Sequence, residues 1–189
     1  MERIYFIFII ILFLLAISDL IVGVSNDAVN FLNSAVGSRT APFRIIMLIA
    51  ATGVLMGTVF SGGMMEIARS GVFYPEKFSF AHIIIIFLAV MITDVILLDT
   101  FNTIGFPTST TVSLVFELLG AAVAIAVIQL VQGGAAGMLG DYINSGKAFA
   151  IISGILVSVI IAFTSGTIIQ FITRLIFSFD YEKKLKYLG

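Results

Sequence analysis

The chain has 189 residues, of which 60% are hydrophobic and 11% charged, with a mean hydropathy of +1.17; a soluble domain carries about 25% charged residues, so the composition specifies an integral membrane protein whose first partner is the lipid bilayer. A net charge of −1 offers no electrostatic basis for a nucleic-acid partner. The absence of cysteine and the single histidine, His82, exclude a disulfide framework, a thiolate metal site and a histidine-rich metal centre.

Ile4 to Val24 is an almost unbroken run of Ile, Leu and Phe. It is long enough to cross a hydrocarbon core of about 30 Å and too long for a signal-peptide core, so it reads as a retained first span. A polar stretch follows directly, Ser25-Asn26-Asp27-Ala28-Val29-Asn30-Phe31-Leu32-Asn33-Ser34. On a helix, Asp19, Gly23, Asn26, Asn30, Asn33 and Gly37 share a sector of about 80°, with Asp27 and Ser34 beside it. An ionised Asp at bilayer depth costs roughly 2.5–3.5 kcal/mol on insertion scales, so this seam must face a cavity, a partner or an ion. The helix is expected to break or to continue at membrane depth there.

Pro42, flanked by Arg39 and Arg44, marks a turn before a second span from Ile45 to Ala68, in which Gly53, Gly57 and Ser61 form a small-residue stripe suited to close helix packing. Gly71 to Phe80 reads as an interfacial loop. The third span, Ala81 to Phe101, carries two acids, Asp94 and Asp99, about 140° apart on the helix. Asp94 is the candidate for function; Asp99 is expected at the span's end.

The uncharged stretch Asn102-Thr103-Ile104-Gly105-Phe106-Pro107-Thr108-Ser109-Thr110-Thr111 interrupts the helical pattern at Gly105 and Pro107. A new helix starts here, with Ser109, Ser113, Glu117 and Gly120 on one face of a fourth span that reaches Val131. Helix N-termini carry about half a positive charge and free N–H donors, so this break is a candidate anion site, or else its hydroxyls simply cap the helix. A glycine-rich connection (Gly133, Gly134, Gly137, Gly140) leads to a fifth span, Lys147 to Phe177.

No Lys or Arg lies at depth in the spans, so an anion would be held by a helix N-terminus and neutral donors, and a cation would balance its charge. Asp27 and the amide oxygens of Asn26, Asn30 and Asn33 suit a hard cation such as sodium; the Asn N–H groups also suit an oxyanion. Together they point to cation-coupled movement of an anion. A non-transporting assembly subunit with an Asn/Asp seam as interhelical glue is the alternative. A channel lacks a repeated filter, and an enzyme lacks paired metal ligands or a nucleophile with a base.

Ser25-Asn26-Asp27-Ala28-Val29-Asn30 with Ser34-Ala35-Val36-Gly37-Ser38 resembles the G-A-N-D-V-A-N…T-S-V-G-S signature of the inorganic phosphate transporter family. Gly105-Phe106-Pro107-Thr108-Ser109-Thr110-Thr111 is similar to that family's second motif, G-L-P-V-S-T-T-H. The resemblance runs over essentially the whole chain. It implies symport of inorganic phosphate with sodium or protons, a sulfate or other oxyanion permease being the variant, in a bacterial inner membrane, with no cofactor beyond the coupling ion. By similarity the substrate is bound by Asn26, Asn30, Ser109, Thr110 and Thr111. The coupling cation falls to Asp27, Asn26 and Asn30, with Asp27 as the sodium ligand, and Asp94 and Glu117 are added as acids at depth. The sequence departs from the family at Val24, at Val112 in place of His, and at Phe116-Glu117 in place of small residues.

The expected fold is therefore an all-α integral membrane protein of about five transmembrane helices, broken or re-entrant at the two motifs. Residues 1–189 form a single transmembrane domain equivalent to the first half of an inverted-repeat transporter. The second repeat, absent from this chain, is expected from a longer polypeptide or a second subunit.

Overall fold

A computed structural model of the chain describes residues 2–66, 70–133 and 137–178. The described residues are helical apart from turns and one isolated bridge: α1 (Glu2–Gly37), α2 (Phe43–Val59), the five-residue α3 (Gly62–Glu66), α4 (Phe80–Ile104), α5 (Thr110–Val131) and α6 (Ser145–Phe177). They fall into two compact units, Met1–Ala148 and Phe149–Gly189.

Four helices, α1, α4, α5 and α6, are long and apolar enough to cross a membrane. The expected second span is shorter: α2 holds 17 residues, and Phe60 and Ser61 turn the chain before α3. Its expected end at Ala68, like Gly134 of the glycine-rich connection, lies outside the described residues. The polar seam does not break α1, which runs through it for 36 residues, about 54 Å. Ser25 stays compatible with the helix because its hydroxyl donates to the Ile21 carbonyl at 2.7 Å, one turn back.

In the first unit α4 lies between α1 and α5. Tyr5 stacks edge-on against Phe80, with ring centres 5.5 Å apart, and Asn26 bonds Asn102 further along, so α1 and α4 run in the same direction. The 42 residues between them must travel back along the whole length of α4, and α2 with α3 is the helical part of that return. The tight connection from α4 to α5 makes that pair antiparallel. Ile86 and Val90 of α4 bury against Leu118, Ala122 and Ala126 of α5, all at or below 1% exposure. Ala122 and Ala126, one turn apart, are the small residues that let these helices approach. The stripe on α2 does not play this part: a side chain at Gly53 or Gly57 would meet open space.

One end of the α4–α5 pair is closed by two loops rather than by lipid-facing helix. Phe73, Phe78, Tyr142 and Ile143 are buried there; Phe78 contacts both other rings edge-on, and the Tyr74 and Asn144 amides cross-link the loops to Tyr142 and Val72. In the second unit α6 continues from its Asn144-capped start as an apolar helix with a single basic residue, Arg174, in its last turn.

Two helix ends show how local chemistry sets the chain path. α4 ends in a paired-amide cap: Phe106 N–H reaches the Phe101 carbonyl (3.0 Å), Gly105 N–H reaches Asn102 (3.2 Å), and Gly105 takes the left-handed conformation at φ 80°. α1 ends in the same motif with Arg39 at φ 52°, a position where a side chain strains the backbone. Opposite signs are therefore expected. Gly105→Ala should lower the thermal unfolding temperature in detergent, at a cost of about 1–2 kcal/mol, whereas Arg39→Gly should raise it by a comparable or smaller amount. Equal behaviour of the two variants would contradict the cap assignment.

Candidate functional site

The polar seam of α1 faces α4 and the start of α5. Asn102, in the last turn of α4, joins the two parallel helices: its Nδ2 donates to the Val22 carbonyl (3.3 Å) and its Oδ1 accepts from Asn26 Nδ2 (2.8 Å). Asn26 is only 3% exposed, and its Oδ1 is buried without a hydrogen-bond partner. A buried amide oxygen left this way costs about 1–3 kcal/mol, a cost that a bound cation or a donor group on a ligand would remove. Asn26 lines a cavity of about 300 Å³ together with Asn30, Asn33, Phe101, Asn102 and the Gly105-Phe106-Pro107 turn. The first family motif and the break that opens the second thus meet at one place.

A second cavity, about 200 Å³, lies along the same helices toward the α1 N-terminus and is lined by Asp19, Gly23, Asp27, Asp94, Leu98 and Thr110, among others. Thr110, the first residue of α5, donates its hydroxyl to Asp27 Oδ2 at 3.4 Å. The positive end of the α5 dipole thereby faces a carboxylate of the protein itself. Further along, Asp94 lines this cavity with Asp19, and on α5 Ser113 donates to Glu117 Oε1 at 2.7 Å. Asp94 is buried and Asp99, five residues before the end of the same helix, is exposed.

The expected site residues are therefore divided. Asn26 and Asn30 share the larger cavity; Asp27, Asp94 and Thr110 share the smaller; Glu117 sits beside Asp94. Ser109 caps α5, accepting from the Val112 amide at 3.4 Å, and Thr111 is exposed; neither is among the residues lining the two cavities. Among the described residues no three Asp, Glu or His side chains form a metal-holding group. Two residues in the constellation were not among the expected ligands, Asn102 and Asp19. Asp19 carried a signal, an acid in mid-span on the face of the seam; Asn102 stood in the uncharged break, but its partner on α1 was not deducible from spacing.

Among the described residues four helices are of membrane-crossing length, and three of them carry polar side chains that line two open cavities; this is a multi-pass integral membrane protein. The chain belongs to the phosphate transporter family, whose family model matches residues 23–188; this is a family of transporters and not of enzymes. A protein of Helicobacter pylori named "Putative phosphate permease" is 33% identical over 104 residues, 54% of this chain and 20% of the relative. Relatives with that same designation occur in Mycobacterium bovis (32% over 114 residues, 59% of the chain, 20% of the relative) and Thermococcus kodakarensis (29% over 112 residues, 58% and 28%). The chain thus matches only a fifth to about a quarter of these relatives' length. No solved structure matches it.

The Asn26–Asn102 bond can be measured directly. A double-mutant cycle with Asn26→Ala and Asn102→Ala, read from unfolding in detergent or bilayer, should give a coupling energy of about 0.6–1.7 kcal/mol, the range for interhelical polar pairs in membranes. Strict additivity would mean that the two amides do not meet.

Proposed function

We propose that the chain forms one repeat of a cation-coupled symporter of inorganic phosphate in the bacterial plasma membrane, and that a second repeat or a second subunit completes its site. The carrying observation is the Thr110–Asp27 hydrogen bond, which joins the two family motifs across α1 and α5. The relatives' designation as phosphate permeases supports phosphate as the anion.

In this reading Asn26, with Asn102 holding it, and Asn30 present amide donors and acceptors to phosphate in the larger cavity. Ser109, Thr110 and Thr111 supply hydroxyls at the start of α5. Asp27 is the coupling-cation residue: its carboxylate is the one negative group within a turn of that cavity on α1, and a cation beside it would offset the charge of the anion. Asp94 and Glu117 belong to the coupling apparatus rather than to the phosphate contacts, because they line or adjoin the other cavity.

Exposure supports the need for a partner. Asn30, Asn33, Ser109 and Thr111 are all exposed in the first unit. Amides and hydroxyls at such a position inside a bilayer require a protein or aqueous surface over them.

Radiolabelled phosphate uptake into proteoliposomes tests this, with this chain supplied together with a second repeat, with and without a sodium or proton gradient, and with sulfate as competitor. Uptake should follow the cation gradient and be blocked by excess phosphate more than by sulfate. Asp27→Asn should reduce uptake by at least about tenfold, equivalent to 1.4 kcal/mol, while membrane insertion is unchanged. Ser109→Ala with Thr110→Val should weaken phosphate affinity without loss of folded protein. Retained uptake with normal cation dependence in Asp27→Asn would remove Asp27 from the coupling role, and aggregation of the double variant would reduce Ser109 and Thr110 to capping.

A further inference from the structure

The corner between α1 and α2 holds a third open pocket, of about 570 Å³, larger than either cavity along the polar seam and sharing no lining residue with them. It is lined by the apolar side chains of Val36, Pro42, Phe43 and Ile46 and by Arg39 and Thr40. The Thr40 hydroxyl donates to the Ala35 carbonyl at 3.3 Å, so the charged lining group is Arg39. Arg44 follows in the first turn of α2, and both arginines are exposed. They are the only charged residues between Asp27 and Glu66, so this segment carries two positive charges and no acid to balance them. Arg39 also stands at φ 52°, where a side chain strains the backbone, so its guanidinium is held against the local preference of the chain.

Beyond Arg44, α2 carries no charge as far as Val59, and Leu48, Ile49, Leu55 and Val59 are exposed. An apolar helix surface of this kind is stable in hydrocarbon, and the arginines that precede it then lie at the level of the lipid headgroups. An inorganic anion in this pocket would use the guanidinium but leave the apolar side chains wet. A zwitterionic lipid would cover those side chains but bring a phosphate already paired with its own ammonium. A lipid with net negative charge satisfies both parts, since guanidinium groups bind phosphate through paired N–H donors and basic pockets between membrane helices hold anionic headgroups. We infer that the α1–α2 corner is a binding site for an anionic phospholipid of the surrounding bilayer, with its headgroup phosphate on Arg39 and Arg44 and an acyl chain against Val36, Phe43 and Ile46. This inference is independent of what the chain transports.

The test is native mass spectrometry of the chain in neutral detergent, after incubation with equimolar phosphatidylglycerol and phosphatidylcholine of the same acyl chains. The wild type should retain one phosphatidylglycerol in preference to phosphatidylcholine by about twentyfold, with about fivefold carried by each arginine. Arg39→Gln and Arg44→Gln should each lower the preference by that factor and the double variant should remove it, whereas Arg174→Gln, in the last turn of α6, should leave it unchanged. Arg39→Gly separates binding from folding: it relieves the backbone, so it should unfold at a higher temperature in detergent and still lose the lipid preference. The preference should also survive excess inorganic phosphate and addition of a second repeat. Equal retention of the two lipids by the wild type overturns the proposal, as does a preference that persists in Arg39→Gly and in the double Gln variant. Displacement of the lipid by inorganic phosphate would make the pocket an anion site, and displacement by the second repeat a protein interface; either result also overturns it.

Discussion

The hydrogen bond between the buried amide of Asn26 and the exposed amide of Asn102, in the last turn of α4, sets the frame on which the polar face of α1 depends. Each amide that finds its partner on a neighbouring helix constrains the relative rotation and register of the two helices. Asn102 satisfies this on two sides, bonding Asn26 and the Val22 carbonyl. With α1 and α4 locked in parallel at that level, the same faces one and two turns away bring Gly23 beside Leu98 and Asp19 beside Asp94. The acidic interior is thus a consequence of the helix register and not an independent feature.

A parallel pair has a cost in chain. Successive antiparallel helices need only a short turn, as between α4 and α5, but α1 and α4 can lie side by side only if the intervening residues return along the bundle. The helices of that return, α2 and α3, are shorter than those it serves. The loops at the far end compensate by closing over the α4–α5 pair with Phe73, Phe78 and Tyr142, placing aromatic packing where helices alone would leave a frayed edge.

Much of this was legible in the sequence because the physics is local. The apolar runs that became α1, α4, α5 and α6 are set by length and composition, and the break at Gly105 and Pro107 follows from backbone conformations that Gly permits and Pro enforces. The polar sector of α1 followed from helical periodicity, and its Asp19, Gly23 and Asn26 part faces α4 and α5, whereas Asn30 and Asn33 are exposed. What was not legible depended on register between helices distant in sequence. Asp94 and Glu117 were singled out as acids at depth, but nothing in their spacing joined them to Asp19. The stripe of Gly53 and Gly57 has the same local signature as Ala122 and Ala126, yet only the latter finds a neighbour, because a small residue permits close approach without causing it.

The division of the seam into two cavities bears on how a single helix could serve both an anion and a coupling ion. Along α1 the residues that turn toward Asn102 are amides, able to donate and to accept; those that turn toward Asp94 and Thr110 are acids, able only to accept unless protonated. Asp27 stands between the two groups and already has a donor, Thr110, at the very residue where the second motif starts its helix. Any rotation of α5 that carried Thr110 away would therefore strip a hydrogen bond from Asp27 and move Ser113 and Glu117 relative to Asp94 in the same motion. The two cavities share α1 and α4 as walls, so a movement of either helix reaches both, which is the physical requirement for one binding event to be felt by another.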